Sequence, residues 1–220
     1  MKRHVLAIVG IIVLAAGMYA QEDPQALMHR MRDRMLGART YEADMRIKVD
    51  VPFLKAPESR ARIRFEQPDK THIDAPGFAM IPKQGVDLSG ARLLSKPFTA
   101  VDAGRMPFQG TTMRKVRIIP TSDADDIAVA TIWVDTTMLV PRRVEMTTKK
   151  GGTVIAELVY DDTTARTYCL PSYLKLMVDV GDFALPKTMT GDFDTKAKPG
   201  PKGEQKATVE IWYSGYRINR

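Results

Sequence analysis

The side chains best suited to catalysis at neutral pH are scarce in this chain. It holds three histidines, His4, His29 and His72, and a single cysteine, Cys169. None of them shares the spacing of a zinc site, where four imidazole or thiolate ligands must converge. The acidic turn Asp123-Ala124-Asp125-Asp126 lacks the glycine and the distal glutamate of a calcium loop, and reads as a surface hairpin. No Gly-x-Ser-x-Gly elbow exists, and His72 has no obvious activated serine partner. No glycine-rich loop opens a helix, so nucleotide binding is not supported and no cofactor is expected. Carboxylates are plentiful, but they fall on the polar faces of alternating segments, where solvation is their ordinary role. The chemistry-bearing residues point away from an enzyme.

What the sequence does offer is apolar surface on regular elements. One convincing helix runs from about Pro24 to Ala38, with Asp23 as N-cap and Pro24 in the first turn, where its missing N–H costs nothing. Leu27, Met28, Met31 and Met35 recur on one face, charged residues largely fill the other, and Gly37 ends it. From Tyr41 the period changes to two. Tyr41, Ala43, Met45, Ile47, Val49 and Val51 face one way, while Glu42, Asp44, Arg46, Lys48 and Asp50 face the other, as in a strand with one wet face. Arg60, Arg62 and Arg64 alternate with Ala61, Ile63 and Phe65 in the next strand, and a shorter one follows around 71–75.

Residues 76–110 lose the period, holding several glycines and prolines among Phe78, Met80, Ile81, Leu93, Leu94, Phe98 and Phe108. Such a stretch is either a lid or binding loop, or a set of short strands and turns that close the core. Regular strands resume at 114–119, 127–135, 140–148 and 154–160, with more near 174–180 and 208–217. The short connections build an up-and-down antiparallel meander. Residues 196–206 form a basic Pro/Gly loop, read as a hairpin tip.

The first 20 residues have the layout of a secretory signal: Lys2 and Arg3, an apolar run from Val5 to Ala16, and small residues near the end. That run is shorter than the roughly 20 residues a membrane span needs. Cleavage is expected after Ala20, with Gly17 as the alternative, leaving one domain over 21–220. No cysteine follows Leu14-Ala15-Ala16-Gly17, so no lipid attachment is expected. Net charge is +7, and losing Lys2 and Arg3 leaves +5, a mild excess that fits a solvated β surface and gives weak attraction to anionic lipid. Nucleic acid is not an expected partner. A lone cysteine permits no internal disulfide.

One helix of about fifteen residues, roughly 22 Å long, cannot cover a sheet of eight or more strands. The rest of the apolar face must be filled by side chains, covered by the irregular segment, or left as a cavity. Thirteen methionines suit an adaptable binding surface as well as a plain core.

The order of these pieces resembles the periplasmic lipoprotein carriers of the LolA/LolB type, whose fold is shared with the RseB-type sensor domain. The resemblance is carried by Ile132-Trp133-Val134-Asp135, by Leu139-Val140-Pro141-Arg142-Arg143-Val144-Glu145, and by Gly151-Gly152-Thr153 with Tyr160. Phe65-Glu66-Gln67-Pro68 and the closing Tyr213-Ser214-Gly215-Tyr216-Arg217-Ile218-Asn219 add to it. It implies a mainly β chain with one long N-terminal helix, its curved antiparallel sheet forming a half-open β-barrel covered by helix and lid elements. The carriers hold lipoprotein acyl chains in a hydrophobic cavity. Two departures stand out. Gln67 occupies the position where the carriers have a lid-fastening arginine, and the segment 78–85 is short and Pro-rich for a lid.

On this reading the protein is a periplasmic carrier of lipoprotein acyl chains or another lipid toward the outer membrane, served by inner- and outer-membrane transfer partners. Met45, Ile47, Val49, Ile63, Phe65, Val144 and Met146 would line the cavity, with Phe78, Met80 and Ile81 as lid. Ten shielded methylenes at about 0.8 kcal/mol each amount to roughly 8 kcal/mol, enough for tight binding without a catalytic residue. An envelope sensor whose lipid occupancy regulates a protein is the alternative; a hydrolase of envelope material and a purely structural protein come after it. Trp133 is assigned to core or pocket without a choice between them.

Overall fold

The computed structural model describes residues 22–51, 54–55, 57–68, 70–75, 91–122, 127–149, 152–179 and 206–219. Helix α1 (Pro24–Leu36) is followed by strands β1 (Thr40–Val51), β2 (Leu54–Lys55), β3 (Ser59–Glu66) and β4 (Lys70–Asp74). After α2 (Ala91–Ser95) come β5 (Phe98–Phe108), β6 (Thr111–Pro120), β7 (Ile127–Asp135), β8 (Val140–Thr148) and β9 (Thr153–Val159). The short α3 (Thr163–Arg166) leads into β10 (Tyr173–Asp179) and β11 (Lys206–Ile218).

All pairings are antiparallel, and the sheet runs β4-β3-β1-β11-β10-β9-β8-β7-β6-β5, with β2 added to the end of β1. The last strand therefore returns to lie beside the first, Ile47 opposite Ile211 and Val49 opposite Val209. Ten strands make a ring that is open at one seam, between β4 and β5. This is the half-open barrel expected from the sequence.

Alternation dictates which face is buried. On β1, Ala43, Met45 and Ile47 are buried while Asp44, Arg46 and Lys48 are exposed. Inner residues line up across the sheet. One row runs Ile47, Ile211, Leu174 and Leu158; the next runs Val49, Val209, Leu176, Ala156, Val144, Ile132 and Val116. Helix α1 lies over this face with Leu27, Met28, Met31 and Met35 all buried, and Leu93 and Leu94 of α2 join the same core. Asp23 caps α1 by accepting from the Ala26 N–H at 3.1 Å.

One expectation is corrected. Residues 76–110 are not irregular throughout, because β5 spans eleven of them and α2 another five. β5 escapes a periodicity argument because it borders the seam, is exposed along much of its length, and carries a bulge between Asp102 and Arg105 that Gly104 turns with φ +88°. Pro107 is tolerated because an edge strand needs only one set of ladder bonds. As expected, α1 does not cover the sheet alone, since Leu93 and Leu94 of α2 join the same core.

Candidate functional site

The meander gives the barrel two unlike ends. The connections at 37–39, 109–110, 136–139 and 160–172 gather at one, the floor; the opposite strand ends, at Val51, Ser59, Asp74, Phe98, Pro120, Ile127, Thr148, Thr153, Asp179 and Lys206, form the other, the mouth. Exposure rises toward the mouth. In the middle row Ile47, Ile211 and Leu174 are each 2% exposed and Leu158 is fully buried. At the mouth, Val49, Ile127, Met146, Val154 and Val209 are only partly buried while still packed on the core. The partly buried aromatic side chains on the core, Tyr41, Tyr213 and Tyr216, stand at the floor instead.

The floor is closed by polar bonds. Arg34, on the last turn of α1, donates to the carbonyls of Met138 and Leu139 in the β7–β8 turn and of Arg166 and Thr167 at the end of α3. Asn219 accepts from the N–H of Arg39 at 2.7 Å and of Thr40 at 3.3 Å, and its amide donates to the Gly37 carbonyl at 2.9 Å. Tyr216 donates to the Pro171 carbonyl at 2.8 Å. Burial pushes the Cys169 thiol up to about 11, with Arg34 pulling the other way, and raises the Tyr160 and Tyr216 phenols well above their usual value. The Tyr160 hydroxyl is buried and has no hydrogen-bond partner among the described residues.

At its other end α1 reaches the seam. The Gln25 amide donates to the Phe98 carbonyl at 3.2 Å and accepts from the Ala100 N–H at 2.8 Å, occupying the free edge of β5 as a neighbouring strand would. His29 packs edge-on against Phe98 with ring centroids 5.5 Å apart. Gln67, where the resemblance expects a lid-fastening arginine, donates to the carbonyls of Leu36 at 2.6 Å and Ala38 at 3.3 Å. It therefore caps the end of α1, answering carbonyls a helix leaves unpaired.

Six of the seven expected cavity residues belong to one apolar interior. Met45, Ile47, Ile63 and Val144 lie deep, at 5%, 2%, 4% and 0% exposure, and Val49 and Met146 stand at the mouth. Phe65 is apart from them, at the floor end of β3, where it stacks on Tyr41 at 5.1 Å. Phe78, Met80 and Ile81, the expected lid, lie outside the described residues. Sequence reasoning missed the rim residues Ile127, Val154 and Val209, although counting hairpins in a meander already places alternate strand ends together. Trp133 is on the outer face: it pairs with Lys115 and Arg143, lies under both cations at 5.0 and 5.3 Å, and donates its indole N–H to Met106.

No group of three or more His, Cys, Asp or Glu that could hold a metal occurs among the described residues. Two depressions of about 650 and 670 Å³ lie over the polar outer face, around Arg46, Arg60, Arg62 and Trp212 and around Glu42, Arg64, His72 and Arg217, where exposed ion pairs fill the surface. No helix among the described residues is long and apolar enough to cross a membrane.

No family model matches the sequence, and no curated protein matches it either. Solved structures do. A LolA superfamily protein from Nitrosomonas europaea superposes with a TM-score of 0.57 at 8% identity, covering 90% of this chain and 94% of that one. A putative outer membrane lipoprotein-sorting protein domain from Vibrio parahaemolyticus gives 0.57 at 12% identity, covering 89% and 92%. At such identities the likeness concerns architecture, and the architecture is settled by it: this chain has the LolA-type fold.

Proposed function

We propose that the protein is a periplasmic carrier that takes the acyl chains of lipoproteins, or another lipid, through the mouth of the barrel. The observation that carries this reading is the gradient of the inner face. Its row from Val49 on β1 to Val116 on β6 is apolar and ends on β5 at Asp102, which holds the buried Arg114; the face is closed by polar bonds at the floor and rimmed at the mouth by Val49, Ile127, Met146, Val154 and Val209, which the protein leaves partly exposed. An acyl chain entering there leaves water, at about 0.8 kcal/mol per methylene, and meets no buried charge on that row. Room comes from the methionines. Met28, Met31 and Met35 of α1 oppose the sheet and Met45 faces them from β1, and their unbranched thioethers repack at lower cost than branched side chains. Handover then depends on membrane-bound partners that offer the chain a better site. Fold likeness supports the reading without fixing the ligand.

The test is native mass spectrometry of the protein isolated from its own periplasm, together with uptake of a fluorescent fatty acid by the delipidated protein. The expected result is a bound acyl species and saturable uptake, with uptake lost in Val49→Asp and Met146→Asp at the rim. A chain that carries no acyl species and takes up no probe overturns the reading.

A further inference from the structure

The outer face of the sheet is not uniform. Across β3, β1 and β11 five cations are matched with acids, with exposed Arg60 the exception: Arg46 with Glu58 at 3.1 Å, Arg62 with Asp44 at 2.8 Å, Arg217 with Glu42 at 3.3 Å, Lys48 with Glu210 at 3.7 Å, and Arg64 with Asp74. On β6 the matching fails. Lys115 lies over the Trp133 ring and Arg117 is exposed, and neither meets a carboxylate among the described residues. Arg117 faces Val101 on one side and Thr131 on the other, and the next carboxylate along that row is Glu145 on β8, two strands and about 10 Å away.

The same face carries exposed aliphatic surface. Among the described residues three large apolar side chains are strongly exposed: Leu36 at 44%, Val101 at 45% and Ile119 at 41%. Val101 and Ile119 are diagonal neighbours, since Val101 pairs with Arg117 and Thr99 with Ile119. Their outward direction is fixed by Phe98, Val116 and Ile118, which alternate with them and are buried. β5 is the border of the sheet, and both aliphatics stand toward the mouth end of their strands.

We infer that the outer face of β5 and β6 docks on an anionic phospholipid bilayer. Unmatched cations on flexible stems meet headgroup phosphates, each contributing about 1 kcal/mol near such a surface, while the two aliphatics enter the headgroup–acyl boundary. A specific protein partner would call for an apolar patch with aromatic anchors, and neither Val101 nor Ile119 is aromatic. Trp133 beneath the cations is 6% exposed and already covered. The inference stands on this patch and not on any bound lipid, but it places the mouth beside the membrane that a carrier must visit.

Co-sedimentation of the delipidated chain from Gln21 to Arg220 with phosphatidylcholine vesicles, with and without phosphatidylglycerol, tests it. Asp123, Asp125 and Asp126, which lie outside the described residues, are present in that chain, so their repulsion is included in what is measured. Binding is expected to anionic vesicles only. Lys115→Gln with Arg117→Gln should weaken it about 25-fold, fivefold for each cation. Arg62→Gln with Arg217→Gln removes the same charge from the matched end and should change it less than about twofold. Val101→Ser with Ile119→Ser should weaken binding without altering its salt dependence. Arg117→Gln alone, at an exposed position, supplies the test if the Lys115 variant misfolds. Equal losses in the two double-charge variants, or no binding to anionic vesicles, overturn the inference, as does retention on an acidic protein without retention on vesicles. Acyl-chain uptake is read separately, so a failure of either result leaves the other standing.

Discussion

The floor and the mouth of this barrel are made from the same strands, yet they are finished in opposite ways. The floor is tied by polar bonds: Arg34 reaches four carbonyls, Asn219 bonds three backbone groups, Gln67 answers the end of α1, and Tyr216 bonds the Pro171 carbonyl. At the mouth the strands end in Val49, Ile127, Met146, Val154 and Val209, partly exposed and without polar fastening of their own side chains. A polar closure fixes geometry, because each broken bond leaves a buried donor or acceptor unsatisfied. An aliphatic rim fixes nothing and can part. The contrast teaches that stability and ligand access are assigned to different ends, and that substitutions should separate them.

The sharpest separation is expected from Arg34→Ala. Removing a guanidinium that serves four carbonyls in two turns should cost about 3 kcal/mol, as for a partly buried, charge-assisted network. Val154→Ala at the mouth, a small truncation at a partly exposed site, should cost about 1 kcal/mol or less. Urea unfolding midpoints of the two variants at equal slope decide the matter. A rim substitution that destabilises more than the Arg34 variant breaks the comparison outright.

Titration sharpens it next, because Cys169, Tyr160 and Tyr216 are buried at the floor. In the folded protein the Cys169 thiol titrates at about 11, with burial as the main cause, whereas an unfolded thiol titrates near about 8.5. Between those values the unfolded chain has lost a proton that the folded chain keeps. Stability is therefore full below the unfolded value and falls as pH rises, by up to about 1.4 kcal/mol per pH unit for each such group. Tyr160 and Tyr216, raised in the same direction by burial, act on the same side. The expected outcome is a loss of about 2–3 kcal/mol attributable to Cys169 between pH 8.5 and 11, absent in Cys169→Ala. Parallel stability–pH curves for the two proteins would show that the thiol is not buried as the floor requires.

Much of this architecture was legible in the sequence, and the failures have physical causes. The alternation from Tyr41 to Val51 announced β1 because one face is wet and the other dry, and parity alone put Met45, Ile47, Ile63 and Val144 inside. β5 was missed because an edge strand wet on both sides has no period to detect, and its bulge at Gly104 and Pro107 read as loop signals. α3, with four residues, is too short to show a helical face. Trp133 lacked a phase because β7 is buried on both faces over Ile132–Val134, and the register shift beside it is set by pairing with β8. The return of β11 to β1 has no local signal at all, and depth along the barrel follows from it. That is why Phe65 was grouped with Val49 although the two lie at opposite ends.

The finest test concerns the methionine at the rim. Met146 pairs with Val154 and Ala130 and packs on the core while remaining partly exposed. Met146→Leu conserves volume, so the stability change should stay within about 0.5 kcal/mol, below the usual ceiling of about 1.5 for such swaps in a full core. The two side chains differ in adaptability. A thioether turns about three bonds and fits irregular shapes, whereas the branched leucine holds one. If the rim is where acyl chains enter, the variant should take up fluorescent fatty acids over a narrower span of chain lengths than the parent at unchanged unfolding midpoint. The same substitution at Met45, 5% exposed and enclosed on every side, should shift the midpoint more. If uptake at Met146 follows stability instead of chain length, the rim has no part in selection and the division between floor and mouth is one of packing alone.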